Sequence, residues 1–171
     1  MKRLFDVALA LALALVLAVP LIVVAIAVRV TSRGPALYWS DRVGRDNRIF
    51  SMPKFRSMRV DTPVITTRLL PDPSTWLTPI GSFLRKSSLD ELPQLWSIFA
   101  GDMSFVGPRP ALFNEQDLIS LRTSAGVQRL VPGLTGWAQI NGRDEIAVEQ
   151  KVAFDEVYLR RRSFGFDLRI L

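Results

Sequence analysis

The sequence predicts a mixed α/β domain, mostly helical and irregular, that follows an N-terminal membrane segment. Residues 7–28 contain no polar or charged side chain, and as one straight helix they would extend about 33 Å, enough to cross the apolar part of a bilayer. The rest of the chain has the apolar content of an ordinary soluble domain. We therefore divide the chain into a membrane segment at residues 1–30 and a globular domain at residues 31–171.

The membrane segment has three interpretations. A cleaved signal peptide would begin with Lys2 and Arg3, but Asp6 interrupts that basic start and the apolar run is longer than in signal peptides. A single spanning helix fits the length, although Pro20 removes one backbone hydrogen bond and clashes with the preceding turn. A re-entrant hairpin, broken near Pro20, is the third.

The charges at the two ends of this segment bear on its topology. Positive residues mark the cytoplasmic side of a membrane segment, and here they stand at both ends, with Lys2 and Arg3 before the run and Arg29 and Arg33 after it. A helix that breaks and returns to its own side satisfies both ends. The hairpin is therefore a serious alternative to a span.

The globular domain begins with a predicted hairpin. Residues 36–39 and 49–51 are short apolar or alternating segments on either side of a polar turn that contains glycine. Four prolines predict a loop over residues 60–79, and residues 82–86 predict a short helix.

The clearest helix of the domain is predicted at residues 89–100. Its apolar residues recur at helical spacing and predict one buried stripe, and Gly101 follows as a stop; the stripe consists of Leu92, Leu95, Trp96 and Phe99.

Three further elements complete the domain. Residues 113–130 predict a helix, residues 132–143 a glycine-rich loop, and residues 145–162 a charged amphipathic helix.

Composition limits the chemistry that the chain can perform. It contains neither cysteine nor histidine, which excludes a disulfide scaffold, a thiol nucleophile, a Cys/His zinc site and a histidine base. Catalysis would have to depend on carboxylates, hydroxyls, Lys, Arg or a metal held by oxygen.

Residues 29–60 hold eight basic and two acidic side chains, a net +6 that equals the formal charge of the whole chain. Such a block indicates an acidic partner: nucleic acid, anionic lipid or a phosphorylated substrate.

The first candidate site lies at the start of the 89–100 helix. Ser88 and Glu91 have the spacing of a capping box, and carboxylates favour the first turn of a helix. Asp90 and Gln94 share the face opposite the apolar stripe. In a chain without histidine, this site is the best available acid, nucleophile or magnesium ligand.

The second candidate is Arg109, which stands between Pro108 and Pro110. The two proline rings restrict the backbone around it, so the guanidinium is aimed with little entropy to lose. Such a guanidinium suits bidentate contact with phosphate. A rigid surface loop without a function is the alternative.

The third candidate is the segment 52–59, in which Lys54, Arg56 and Arg59 alternate with apolar residues. These side chains could line a phosphate site or face a membrane surface. Both interpretations are favoured over nucleic-acid binding because the membrane segment fixes this block beside lipid.

Four motifs in this order resemble the bacterial sugar transferase family, the monotopic phosphoglycosyl transferases that begin lipid-linked glycan assembly. They are LFDVALALALALVLAVPLIVVAIAV, KFRSM, LRKSSLDELPQLWSIFAGDMSFVGPRP and PGLTGWAQINGR, and the resemblance runs over essentially the whole chain. It implies a re-entrant membrane helix, a small α/β body and interfacial amphipathic helices at the cytoplasmic face of the bacterial inner membrane.

The resemblance also implies a reaction. A UDP-sugar and polyprenyl (undecaprenyl) phosphate give polyprenyl diphosphate sugar and UMP, through a covalent phosphosugar enzyme intermediate and with Mg²⁺. The expected partners are these two substrates and membrane lipid but no nucleic acid, and a homodimer is left open. Two alternatives also stay open: a membrane-tethered protein that binds anionic lipid through its basic block without catalysis, and a sugar transferase that uses direct attack.

Residue roles follow from the same resemblance. Asp90 is the implied nucleophile and touches the metal, and Glu91 is its acidic partner, which activates the lipid phosphate or helps to hold magnesium. Arg109 is the implied phosphate clamp. The other basic positions expected near the diphosphate are Lys54, Arg85 and, as a weaker candidate, Arg143.

Two departures from the family pattern matter. Family members often carry serine before the helix-breaking proline, where this chain has Val19, so the break depends on Pro20 alone. The chain also stops at Leu171 inside what resembles a further amphipathic helix, either because the natural form is short or because the sequence is trimmed. The donor sugar is not readable, although small members often take UDP-linked N-acetylated amino sugars.

Overall fold

The computed structural model describes residues 1–65, 70–142 and 146–171. The fold is mixed α/β and mostly helical, as the sequence predicts. Its helices are α1 (Lys2–Val16), α2 (Ala18–Thr31), α3 (Gly81–Lys86), α4 (Leu95–Ala100), α5 (Gln116–Ser124), α6 (Trp137–Ile140), α7 (Val148–Arg161) and α8 (Phe164–Ile170). Its strands are β1 (Leu37–Val43), β2 (Ile49–Phe55), β3 (Ser104–Val106) and β4 (Gly133–Thr135).

The apolar N-terminal segment forms two helices rather than one. α1 and α2 meet at Leu17 with a bend of 64°. Pro20 lies in the first turn of α2, and the carbonyl that its missing N–H would have bonded belongs to Val16, the last residue of α1. The bend at Leu17 lies three residues before Pro20, near which a break was predicted. Among the described residues no single helix is long and apolar enough to cross a membrane, whereas the bent pair meets that test together.

Polar contacts fasten the start of α1 to the globular domain. Lys2 forms an ion pair of 2.7 Å with Asp167 on α8. Asp6 is buried, and its carboxylate accepts hydrogen bonds from Ser104 Oγ at 2.9 Å and from the backbone N of Phe105 at 3.3 Å. The N-terminal end of α1 thus lies against strand β3 and helix α8.

Apolar packing fastens the end of α2 to the same domain. Val24 and Val28 are buried in a cluster with Phe55 of β2 and Leu84 of α3. Both outer ends of the bent helix pair therefore contact one globular body.

The predicted hairpin is confirmed, with longer strands than the sequence suggested. β1 and β2 pair antiparallel from Leu37 opposite Phe55 to Val43 opposite Ile49. The turn between them places Asp46 and Asn47 in the left-handed region, which these short polar side chains tolerate better than most.

The glycine-rich segment contains a strand that the sequence analysis did not predict. β4 pairs parallel with β3, with Ser104 opposite Gly133. A Cβ atom at Gly133 would collide with the backbone of Gly107, so glycine is required where these two segments approach. The loop prediction for residues 132–143 is therefore wrong at β4 and at α6.

The helix predicted at 89–100 begins six residues later as an α-helix. Residues Leu89–Gln94 form a 3₁₀ helix, and α4 covers only Leu95–Ala100. Pro93 lies inside the 3₁₀ segment and cannot donate to the carbonyl four residues before it. The tighter winding advances three residues per turn instead of 3.6, which changes the face that each residue presents.

The predicted apolar stripe is consequently wrong in part. Leu95 is buried together with Ile98, but Trp96 is 62% exposed and Phe99 49% exposed. Asp90 and Gln94, expected on the opposite face, are 8% and 2% exposed. The winding therefore turns the polar residues of the candidate site inward.

The remaining helices follow the sequence prediction approximately. α5 covers only the middle of the helix predicted at 113–130, because Gly126 adopts a left-handed conformation after it. α7 is close to the predicted amphipathic helix. α8 lies where the C-terminal amphipathic helix was expected, and it buries Asp167 and Ile170.

Candidate active site

A cavity of about 650 Å³ opens among the β1–β2 hairpin, the 3₁₀ helix, the Arg109 loop and helices α5 and α7. Two carboxylates, Asp90 and Glu115, line it among the described residues. Its cationic lining side chains are Arg42, Lys54, Arg56, Arg59, Arg85, Arg109, Arg122 and Lys151. This excess of positive charge suits a ligand with several negative charges.

Glu91 joins two cations that are distant in sequence. Its Oε1 atom accepts from Lys54 Nζ at 2.9 Å and from Arg109 Nη2 at 2.8 Å. Burial alone would raise the pKa of Glu91, but the charges of Lys54 and Arg109 outweigh it and lower the pKa to about 2. The structure thus brings three of the predicted site residues together, with Glu91 ionised.

Lys54 reaches Glu91 from strand β2, where it stands opposite Tyr38. Burial lowers the pKa of Lys54, and the charge of Glu91 opposes that shift. Arg109 and Arg42 lower it further because they are like charges. Glu91 is therefore the anion that favours the protonated form of Lys54.

Asp90 lies beside this cluster and lines the cavity. Burial raises the pKa of its carboxyl, while the positive charges of Lys54 and Arg85 oppose that shift. Desolvation makes a carboxylate more basic than it is in water, whereas cationic neighbours favour its ionised form.

The predicted capping box does not form. Ser88 adopts a left-handed conformation with φ 57°, and its side chain makes no capping bond. The side chain of Glu91 instead turns toward Lys54 and Arg109. The local capping interpretation of this motif is therefore wrong.

The other predicted basic residues occupy different positions. Arg85, in the last turn of α3, lines the cavity and contacts Met58 Sδ at 3.3 Å. Arg56 is buried and donates to backbone carbonyls at residues 32 and 35. Arg59 pairs with Asp61 at 2.7 Å. Arg143 lies outside the described residues.

Sequence reasoning missed three cations at the far side of the cavity: Arg42, Arg122 and Lys151. Arg42 belongs to the basic block, so its charge was noted but not its place. Arg122 and Lys151 are on α5 and α7 and have no local motif; only the packing of those two helices brings them to the cavity.

The residues that could hold magnesium are few. The described residues contain no group of three or more His, Cys, Asp or Glu side chains placed to bind a metal ion. Mg²⁺, however, commonly uses one or two carboxylates and completes its shell with water and substrate phosphates. Asp90 fits that role because it lines the cavity. Glu91, with two cationic partners on one oxygen, fits less well.

The chain matches a family of known proteins over its whole length. A sequence model of the family described as "Bacterial sugar transferase" matches residues 1–171. The chain is 40% identical to "Uncharacterized sugar transferase EpsL" of Bacillus subtilis (strain 168), in an alignment that covers 100% of this chain and 83% of that protein.

Two larger relatives carry more specific names. The chain is 39% identical to "UDP-glucose:undecaprenyl-phosphate glucose-1-phosphate transferase" of Escherichia coli (strain K12), with 100% of this chain and 38% of that protein aligned. It is 37% identical to "Undecaprenyl-phosphate galactose phosphotransferase" of Salmonella typhimurium, with 81% and 32% aligned. The chain thus spans roughly a third of the length of these two relatives.

Proposed function

This chain belongs to the bacterial sugar transferase family, and from that premise we propose that it transfers a sugar phosphate from a UDP-sugar to polyprenyl phosphate. The products are polyprenyl diphosphate sugar and UMP. The observation that carries this proposal is the position of buried Asp90 in a cavity rich in cations, next to the Glu91–Lys54–Arg109 cluster. The names of the two larger relatives support the same substrate classes.

The proposed reaction has two displacements at one phosphorus. An oxygen of the Asp90 carboxylate attacks the sugar-proximal phosphorus of the UDP-sugar, the bond from that phosphorus to the UMP oxygen breaks, and UMP leaves. An oxygen of polyprenyl phosphate then attacks the aspartyl phosphosugar, and the bond to Asp90 breaks. The carboxylate is regenerated, so atoms and charge balance over the cycle.

The cationic side chains differ in what they can offer to the transferred phosphoryl group. Phosphoryl transfer needs positioned charge more than proton transfer. Arg109 can present a planar fork to the equatorial oxygens, while the positive charges of Lys54 and Arg85 act on Asp90. No histidine is required for any of these roles.

Magnesium is proposed as the cofactor, with Asp90 as its protein ligand. When bound, it would neutralise part of the charge of the diphosphate. Glu91 is then left to orient Lys54 and Arg109, and the proposal that it also holds the metal stays secondary because both cations occupy its Oε1.

The proposed topology is a re-entrant hairpin on the cytoplasmic face of the bacterial inner membrane. It is supported by the 64° bend at Leu17 and by the contacts of both outer ends with one body, through Asp6 at one end and Val28 at the other. Basic residues at both ends of the helix pair favour a position of both ends on the same side of the membrane. This geometry would place the cavity where an insoluble lipid phosphate meets a soluble nucleotide sugar.

UMP release tests the proposal and separates it from both alternatives. The purified protein is incubated with UDP-glucose, UDP-galactose and UDP-linked N-acetylated amino sugars, with and without undecaprenyl phosphate. A covalent mechanism predicts about one equivalent of UMP per enzyme without acceptor and continuous turnover with it. Direct attack predicts no release without acceptor, and a lipid-binding protein predicts none in either case.

Two variants locate the chemistry within the motif. Asp90→Asn should leave a folded protein without turnover and without the phosphosugar adduct in intact mass spectra, whereas Glu91→Gln should slow turnover and still form adduct. If these side chains only stabilised a helix end, each change would cost on the order of 1 kcal/mol of stability and spare activity. Turnover by Asp90→Asn at the wild-type rate would exclude the aspartyl mechanism.

A further inference from the structure

The loop that carries Arg109 is held through its carbonyl oxygens. Four consecutive carbonyls, at residues 108–111, each accept a hydrogen bond from another part of the chain. The donors, in order, are the backbone N of Gly133 at 2.9 Å, Nη1 of Arg122 at 2.7 Å, Nη1 of Arg42 at 3.2 Å and the backbone N of Val43 at 2.9 Å.

The sequence of this loop explains why carbonyls are used. Pro108 and Pro110 have no backbone N–H, so the loop can offer few donors to its neighbours. Its carbonyls keep their full accepting capacity, and an unpaired buried carbonyl is costly. Backbone N–H groups of β4 and β1 therefore supply two of the four donors, and the side chains of Arg42 and Arg122 supply the other two.

Arg122 is itself fixed by a buried carboxylate. Asp155 on α7 is 1% exposed, and its Oδ2 atom accepts from Arg122 Nε at 2.9 Å and from Nη2 at 2.7 Å. Two of the three nitrogens of the guanidinium are thereby committed to Asp155. The third, Nη1, is directed at the Arg109 carbonyl.

A series of hydrogen bonds connects the Arg122–Asp155 pair to Glu91, the residue next to the candidate nucleophile Asp90. The Arg109 backbone receives the bond from Arg122, and the Arg109 side chain donates to Glu91 Oε1 at 2.8 Å. A shift of the loop by about 1 Å would be enough to disturb a reacting geometry. The position of Arg109 therefore depends on Arg122, each of whose guanidinium nitrogens donates to another group of the protein.

We propose that Arg122 is a positioning residue, oriented by Asp155, that holds the Arg109 backbone so that its guanidinium meets Glu91 and the phosphate of the substrate. Since this role rests on the proposed function for its catalytic consequence, the test includes one measurement that needs no turnover. Lysine at residue 122 keeps the charge but cannot donate to both Asp155 and the Arg109 carbonyl with a planar fork.

Hydrogen–deuterium exchange of the whole protein provides that measurement. Arg122→Lys should speed exchange by at least about tenfold at the backbone amides of Val43 and Gly133, which bond to the loop, while the β1–β2 amides distant from the loop keep their protection. Arg160→Lys is the matched control, because Arg160 pairs with Glu156 on the exposed face of α7. Unchanged exchange at Val43 and Gly133 would overturn the proposal.

A double-mutant cycle tests how the effect reaches the reaction. Arg122→Lys should lower kcat by roughly tenfold or more with a smaller change in KM for the UDP-sugar, and Arg122→Lys combined with Arg109→Lys should be no worse than Arg109→Lys within about threefold. Independent, multiplying losses would show that Arg122 contacts substrate directly and would overturn the positioning role.

Asp155→Asn is a second variant that tests the same proposal if Arg122→Lys fails to fold. It keeps the size of the side chain and one oxygen acceptor, and it should give the same pattern of exchange and kinetics in weaker form. Absence of turnover in the wild-type protein would reject the proposed function, whereas the exchange result would still decide whether Arg122 holds the loop.

Discussion

Arg109 donates a hydrogen bond of 2.8 Å from Nη2 to Glu91 Oε1, and the two residues lie 18 positions apart on different elements. The side chain of Glu91 is 19% exposed and that of Arg109 39% exposed. The contact uses Nη2 of the guanidinium, and Arg109 is also among the residues that line the cavity. Glu91 orients the arginine and at the same time balances its charge.

Arg109→Lys should lower turnover almost as far as Arg109→Ala. Lysine keeps the charge but loses the planar fork, so it cannot hold Glu91 and a phosphate oxygen in the same geometry. Steady-state rates with a UDP-sugar and undecaprenyl phosphate measure the effect. Arg160→Lys, on the exposed face of α7, is the control and should retain the wild-type rate.

A small effect of Arg109→Lys on turnover would contradict the role of Arg109 as a phosphate clamp. If Arg109→Lys stays within about threefold of wild type, the barrier has changed by less than roughly 0.7 kcal/mol and only the charge matters.

The ion pairs of Glu91 should make stability depend on pH. Its pKa in the folded protein is about 2, below the value of 4.5 expected when unfolded, so the pairs stabilise the fold above pH 4.5 and this stabilisation is lost as the pH falls toward 2. The difference in free energy of unfolding between wild type and Glu91→Gln should be a few kcal/mol near neutral pH and shrink toward zero in acid.

Thermal unfolding from pH 7 to pH 3 in a metal-free buffer measures that difference. Asp117→Asn is the control, because Asp117 lies on the first turn of α5 and its carboxylate is outside the Glu91 cluster. A difference that stays constant over this range would mean that Glu91 is not held by Lys54 and Arg109.

Local motifs predicted the part of the site that is local in sequence. The signal lies within a few residues for the helix start with Asp90 and Glu91, for the proline-flanked Arg109 and for the basic Lys54. In the structure, Lys54 and Arg109 both donate to the same carboxylate oxygen of Glu91. Helical periodicity failed at Pro93 because it assumes 3.6 residues per turn.

Contacts between distant residues were not predictable in the same way. Arg122 and Asp155 are 33 positions apart, and Asp6 and Ser104 are 98 apart. Arg122 and Asp155 alone each have the pattern of an ordinary surface charge. Asp6, beside the apolar run, gave only a reason to doubt a signal peptide. The partners of these residues are determined by tertiary packing, which cannot be derived from a single sequence.

Asp6→Ala should destabilise the protein because it removes the acceptor for two buried donors. Ser104 Oγ and the backbone N of Phe105 would both lose their partner, and each unsatisfied group costs about 1–3 kcal/mol. Asp6→Asn keeps one acceptor and should lose less. Thermal unfolding in detergent measures both.

Equal stability of Asp6→Ala and wild type would mean that α1 is not fastened to β3 in solution. Leu4→Ala serves as the control, since Leu4 is 76% exposed on the same helix.

The topology of the bent helix pair can be tested by labelling single cysteines, because the chain has no native thiol. Lys2→Cys and Ser32→Cys lie at the two outer ends of the pair, and both should react with a reagent confined to the cytoplasm. Val19→Cys, 69% exposed in the protein and two residues past the bend, should stay unlabelled from either side because the proposed hairpin would place it in lipid.

Pro20 should decide between the hairpin and a span. Pro20→Ala restores the N–H that can bond to the Val16 carbonyl and removes the ring that clashes there, so α1 and α2 can continue as one straight helix of the length that crosses a bilayer. In that background, labelling at Lys2→Cys should move in part to the periplasmic side, while labelling at Ser32→Cys stays cytoplasmic. The contacts of Lys2 and Asp6 with the body oppose this change, so Asp6→Ala should increase the periplasmic fraction further. Labelling of Lys2→Cys only from the periplasm in the otherwise unchanged chain would show that the segment spans and that the hairpin is wrong.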